Sequence, residues 1–161
     1  MYTPKNKKST PKTYLNTLLF VHGALLVGVL LFTMYIYATG QDFSVGFSNN
    51  KNVFVYLVPT IAMLSYFISN YLFGKQLRDI KKLNSLNGKL ALYLQACIVR
   101  YAFLEGAAIF STIAYGLDNN IFFLVISLLL ILYLFKLRPT INKVINDLEL
   151  NLEEQQNFQE S

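Results

Sequence analysis

One cysteine, one histidine and no tryptophan occur among the 161 residues. The lone Cys97 allows no intrachain disulfide, and inside an apolar run it reads as small filler at a helix contact. With His22 the single histidine, a His/Cys metal site is not expected, and neither metal nor cofactor is assigned. Charge is scarce too: Asp, Glu, Lys and Arg make up 14% of the chain, well below soluble usage. There is no phosphate-cradling glycine loop, no metalloprotease helix motif and no nucleophile elbow. Polar segments stop at about 25 residues, too short for a soluble catalytic domain. The chain reads as a non-enzyme.

Apolar sequence is what abounds. Hydrophobic residues make up 54%, and the mean hydropathy is +0.40. They gather in four runs of about 17–25 residues, the length of bilayer spans. The expected fold is an all-α membrane protein of four transmembrane helices, covering about 14–38, 53–73, 90–116 and 121–137. Residues 1–13, with four lysines and two prolines, read as a disordered tail ahead of a 14–138 transmembrane domain. The first run is too long for the core of a cleaved signal peptide. Pro59 predicts a kink in span two.

Charge asymmetry sets the expected orientation. Lys and Arg crowd the N-terminal tail, the connection 74–89 and the end of span four, while the other two connections hold almost none. Basic segments stay in the cytoplasm, so both termini are expected there, in the plasma (inner) membrane if the source is bacterial. Tyr14, Tyr71, Tyr93 and Tyr133 suit the inner boundary, and Tyr35, Tyr37, Tyr56 and Tyr115 the outer. The net charge of +5 follows the spans rather than forming a nucleic-acid surface. The expected partners are the lipid bilayer and either further copies, as a homo-oligomer, or another membrane protein.

Residues 139–161 predict a short cytoplasmic helix. Ile141, Val144, Ile145, Leu148 and Leu152 form its apolar stripe, and Asp147, Glu149, Glu153 and Glu154 its acidic face. That face suits the basic connection 74–89, or a partner, better than anionic lipid, and a frayed, solvated tail beyond Leu152 fits the sequence equally well.

Shifted by 78 positions, span one lies on span three: Val21, Ala24, Leu26, Gly28, Phe32 and Tyr37 meet Val99, Ala102, Leu104, Gly106, Phe110 and Tyr115. Two repeated helical hairpins would follow. Ala24-x-x-x-Gly28 and Ala102-x-x-x-Gly106 are small-residue pairs that let helices approach closely, so spans one and three are expected to pack through them. Glu105 has only Val27 as its counterpart.

Span three also carries the polar residues. Gln95, Arg100 and Glu105 leave the helix about 140° apart in succession. Charge at membrane depth costs about 2.5 kcal/mol or more, so each needs a partner, water or a task. His22, Arg100 and the hydroxyls of Thr60, Ser65, Ser111 and Ser127 are the candidate partners of Glu105. Two functions compete. One is a non-enzymatic interaction or assembly protein, with the 139–161 segment as one candidate contact. The alternative is a proton- or cation-handling protein centred on Glu105, with His22 and Arg100 beside it.

The segment Phe103-Leu104-Glu105-Gly106-Ala107-Ala108-Ile109-Phe110 resembles the surroundings of the ion-binding carboxylate in the rotor-ring proteolipids of rotary ATPases. The resemblance implies a proton or sodium site at Glu105. It covers eight residues, and the chain departs from it elsewhere. Span two has no glycine between Asn52 and Phe73, and the carboxylate is on the third span rather than an even-numbered one.

Overall fold

The computed structural model describes residues 10–40 and 53–160. Most of the expected N-terminal tail, and the connection holding Asp42 and Lys51, lie outside the described residues. Among the described residues the chain forms six helices and no strand: α1 Pro11–Thr39, α2 Phe54–Ile80, α3 Leu86–Asp118, α4 Ile121–Lys136, α5 Ile141–Leu148 and α6 Leu152–Glu160.

Local chemistry sets these boundaries. Pro11 opens α1, where its missing N–H is no loss. Pro59 sits inside α2 without ending it. Ser85 caps α3 by accepting from the Gly88 amide. At the other end of α3, Asn119 adopts the left-handed conformation (φ 51°), which asparagine tolerates. Asn120 follows at once as the cap of α4, taking the Phe122 amide at 3.1 Å. Two asparagines thus make the whole turn.

Helices α1, α2 and α3 are each long and apolar enough to cross a membrane. Helix α4 is about 24 Å long at 1.5 Å per residue, short of a ~30 Å hydrocarbon layer. It reaches candidate length only together with α5, from which it turns by 81°. The finding is three or four candidate spans.

Helix α3 is the hub. It packs against α1, α2 and α4, whereas α1 scarcely touches α2 among the described residues. The pairing α3–α4 therefore has no equivalent in α1–α2, and the two hairpins are not packed as repeats. Helices α1 and α3 run parallel with His22 against Tyr101 and Thr33 against Thr112, both 79 residues apart.

One end of the bundle holds the turn 81–85 and most of the Lys and Arg; it is called the basic end below. There α1 and α3 overshoot the short α4, whose terminal carbonyls would be stranded in the interior. Donors from three elements meet them. His22 Nε2 donates to the Leu134 carbonyl at 2.9 Å, and the Tyr101 hydroxyl to that of Leu137 at 3.3 Å. Lys143 Nζ donates to the carbonyls of Lys136 and Arg138 at 2.9 and 3.2 Å.

Helices α5 and α6 fill the space beneath α4. Val144, Leu148, Leu150 and Phe158 are buried in one core with Leu15, Leu18, Leu90 and Tyr93. The expected single C-terminal helix is in fact two, broken where Glu149 turns left-handed (φ 49°). The break leaves Leu152 exposed and lets Leu150 into the core instead; Ile141, at the start of α5, is exposed as well. Asn151 and Glu154 then start α6 with a reciprocal capping box: Asn151 Oδ1 takes the Glu154 amide at 2.8 Å, and Glu154 Oε2 takes the Asn151 amide at 3.1 Å. The acidic face does meet the basic connection. Lys81 pairs with Glu149 and Lys89 with Glu154, each at 2.7 Å.

Two of the expected boundary tyrosines pack inside the bundle. Tyr93 donates to Asp147 at 2.8 Å, and Tyr115 is fully buried.

Candidate functional site

Helix α3 presents two different surfaces. Toward the bundle, its polar groups are partnered. Thr112 bonds Thr33 of α1 at 3.0 Å and Ser127 of α4 at 2.8 Å, and Ser127 donates to the Ala108 carbonyl at 3.0 Å. This hydroxyl chain ties α1, α3 and α4 together in the half of the bundle away from the basic end.

Arg100 projects between α2 and α4. Its Nη2 donates to Asn70 Oδ1 and, at 3.2 Å, to the Tyr133 hydroxyl. Tyr133 also donates to Asn70 Oδ1 at 3.1 Å, and Asn70 Nδ2 donates to the Tyr66 carbonyl at 2.7 Å. The guanidinium carbon lies 4.6 Å from the centre of the Phe73 ring, a cation–π contact. Asn70 is the hub of this cluster. Sequence reasoning passed over it, although it is an amide inside the apolar run 53–73, the same signal that singled out Gln95.

Away from the bundle the surface is different. Ala24 and Gly28 of α1 and Ala102 and Gly106 of α3 are all exposed. A Cβ added at Gly28 or Gly106 would meet nothing within 4 Å. The expected packing of α1 on α3 through these pairs is therefore not found. The glycine at the close approach is Gly116, where a Cβ would fall 2.9 Å from Ile36 Cγ2. The small residues instead lie on outward faces of their own helices, pointing away from the bundle. Glu105 stands on α3 with Ala102 and Gly106, half-buried.

The predicted site residues do not come together. His22 is 4% exposed, holds the α4 carbonyl end and stacks edge-on to Tyr101 at 5.0 Å. Because a carbonyl only accepts, its Nε2 carries the proton. Ser111, Ser127 and Thr60 spend their hydroxyls elsewhere, and Arg100 points about 140° away from Glu105 around the helix. Glu105 has no hydrogen bond or ion pair with any described residue. Gln95, exposed nearer the basic end, has none either. No group of three or more His, Cys, Asp or Glu among the described residues is placed to hold a metal.

No protein-family model matches the chain, and neither a curated protein nor a solved structure is similar to it. The eight-residue likeness at Glu105 thus stands without a family behind it.

Proposed function

We propose that the protein is a small non-enzymatic integral membrane protein that works by assembly, through the outward face of α3. One observation carries this reading: Glu105 has no partner among the described residues and lies on α3 with exposed Ala102 and Gly106. A carboxylate facing lipid is costly, and small residues allow another helix to come close. Charge complementarity defines the occupant as a partner's transmembrane helix with a Lys or Arg level with Glu105. The basic end lies in the cytoplasm, with both termini.

The C-terminal segment is the weaker candidate contact, because Asp147, Glu149 and Glu154 and the buried Val144, Leu148, Leu150 and Phe158 are committed to its own chain. Deleting 139–161 would remove the floor of the bundle and test folding rather than partnership. The ion-handling alternative draws on the same unpartnered carboxylate, but a proton route needs polar groups leading to it, and Glu105 bonds none among the described residues.

The test uses the full chain in vesicles with two labelled probe helices of leucine and alanine, one carrying a central lysine and the other a central leucine. Energy transfer to the lysine probe should be at least tenfold tighter. Glu105→Gln should abolish the difference, and Gly106→Leu should weaken both. Equal binding of the two probes, or association of labelled copies of the chain in place of the probe, would overturn the reading. Sodium-suppressible carbodiimide labelling at Glu105 would favour ion handling.

A further inference from the structure

An open apolar groove of about 530 Å³ runs between α2 and α4. Pro59 and Phe122 line its far part, Ala62 and Leu129 its flanks, and Tyr66 and Tyr133 its part nearest the basic end. The two tyrosine rings lie 5.1 Å apart. Behind them, through the Tyr133 hydroxyl, is Arg100.

That guanidinium is under-used. It has five N–H donors, and among the described residues only Nη2 is bonded. Its Nε is sealed from solvent with no partner. Among the described residues Arg100 forms no ion pair with a carboxylate. A half-buried cation with spare donors and no counter-ion among the described residues calls for an anion, and guanidinium suits phosphate by shape. Exposed Lys75 and Lys136 lie one to two turns further toward the basic end and add positive potential there.

Length decides what kind of anion. From Phe122 to Tyr133 the groove follows α4 for about 16 Å at 1.5 Å per residue. That is about half of a ~30 Å hydrocarbon layer, one leaflet's depth. We propose that the groove holds one acyl chain of an anionic phospholipid from the leaflet at the basic end, with its phosphate against Arg100. The inference shares the membrane placement proposed above but does not depend on the outward face of α3.

The test is native mass spectrometry of the full chain in neutral detergent, offered equal amounts of phosphatidylglycerol and phosphatidylcholine with the same chains. One phosphatidylglycerol should be retained per protein, at least tenfold in preference to phosphatidylcholine. Ala62→Phe, which fills the groove and leaves Arg100 alone, should cut that retention tenfold or more. Arg100→Gln should bring the two lipids level. Equal retention by the unaltered protein, or retention indifferent to Ala62→Phe, would overturn the proposal. Should either variant fail to fold, phosphatidylglycerol with a photoreactive chain decides the matter on the unaltered protein. Adducts at Met63, Phe67 or Leu129 support the site, and adducts confined to other helix faces refute it. A chain that retains neither lipid yet still binds the lysine probe would sink this site and leave the assembly reading standing.

Discussion

The inward and outward faces of α3 differ less in composition than in what their polar groups do. Inward, Lys89, Tyr93, Arg100, Tyr101, Ser111 and Thr112 each bond a named partner. Outward, Gln95 and Glu105 bond nothing described, beside alanines and glycines that pack against nothing. Apolar solvent offers no water to stand in for a missing partner. The same helix therefore satisfies its polarity within the bundle on one side and, among the described residues, leaves it unbonded on the other, the side proposed above for association.

The largest expected contrast sets Asn70→Leu against Glu105→Leu. Asn70 engages Arg100, Tyr133 and the Tyr66 carbonyl. Interhelical bonds in membranes average about 0.6 kcal/mol, and bonds to charged groups are stronger. Asn70→Leu should cost about 2 kcal/mol in reversible unfolding of the reconstituted protein, the sum scaled from those bonds. Glu105→Leu should leave the single chain as stable as before or more so. Equal losses would mean that Glu105 is a folding residue, and the two faces would not differ in kind.

Much of this was legible in the sequence, and the misses have physical causes. The apolar runs and the basic flanks place the three long helices, the short α4 and the basic end, because length and charge are one-dimensional properties. That the acidic C-terminal face could meet the basic connection was readable from charge, but the pairs with Lys81 and Lys89 were not, and a partner or a solvated tail beyond Leu152 fitted the sequence as well. Which side of a helix faces its neighbours did not. Ala24, Gly28, Ala102 and Gly106 have the spacing of a packing motif whether they face a helix or lipid. Near-uniform hydrophobicity in α1 and α3 leaves no amphipathic contrast to orient them. The break at Glu149 was hidden because the stripe continues to Leu152 in sequence while the backbone turns away.

A second contrast lies in the first turn of α3, where Lys89 and Glu154 pair with side chains only 10% and 13% exposed. Burial alone would raise the Glu154 carboxyl. The bond from Lys89, the Asn151 amide and the lysine charge outweigh it, and hold the group below the usual glutamate range. The pair's contribution is therefore complete above the ordinary value, about 4.3, and is lost as pH falls through the lowered one. Glu154→Ala, which also removes the capping box, should cost about 1.5 kcal/mol at neutral pH. Glu154→Gln keeps a capping group and should cost less, while flattening the acid limb of the stability profile. An unchanged acid limb would assign that limb to other carboxylates.

The smallest contrast is between two glycines of α3, and it tests the faces without touching charge. Gly→Ala inside a helix gains up to about 1 kcal/mol in propensity when the new methyl meets nothing. Gly106→Ala meets nothing within 4 Å and should show that gain. At Gly116 the methyl would lie 2.9 Å from Ile36 Cγ2, a carbon attached directly to the branch point of a β-branched side chain with little freedom to withdraw. Gly116→Ala should therefore forfeit the gain and end about 1 kcal/mol below Gly106→Ala. Shortening the obstacle with Ile36→Ala should restore part of it, so a double-mutant cycle between 36 and 116 should show coupling while one between 28 and 106 shows none. Coupling at 28 and 106 in the single chain would mean that those small residues face each other after all. The outward face would then lose the shape that suits it to a partner.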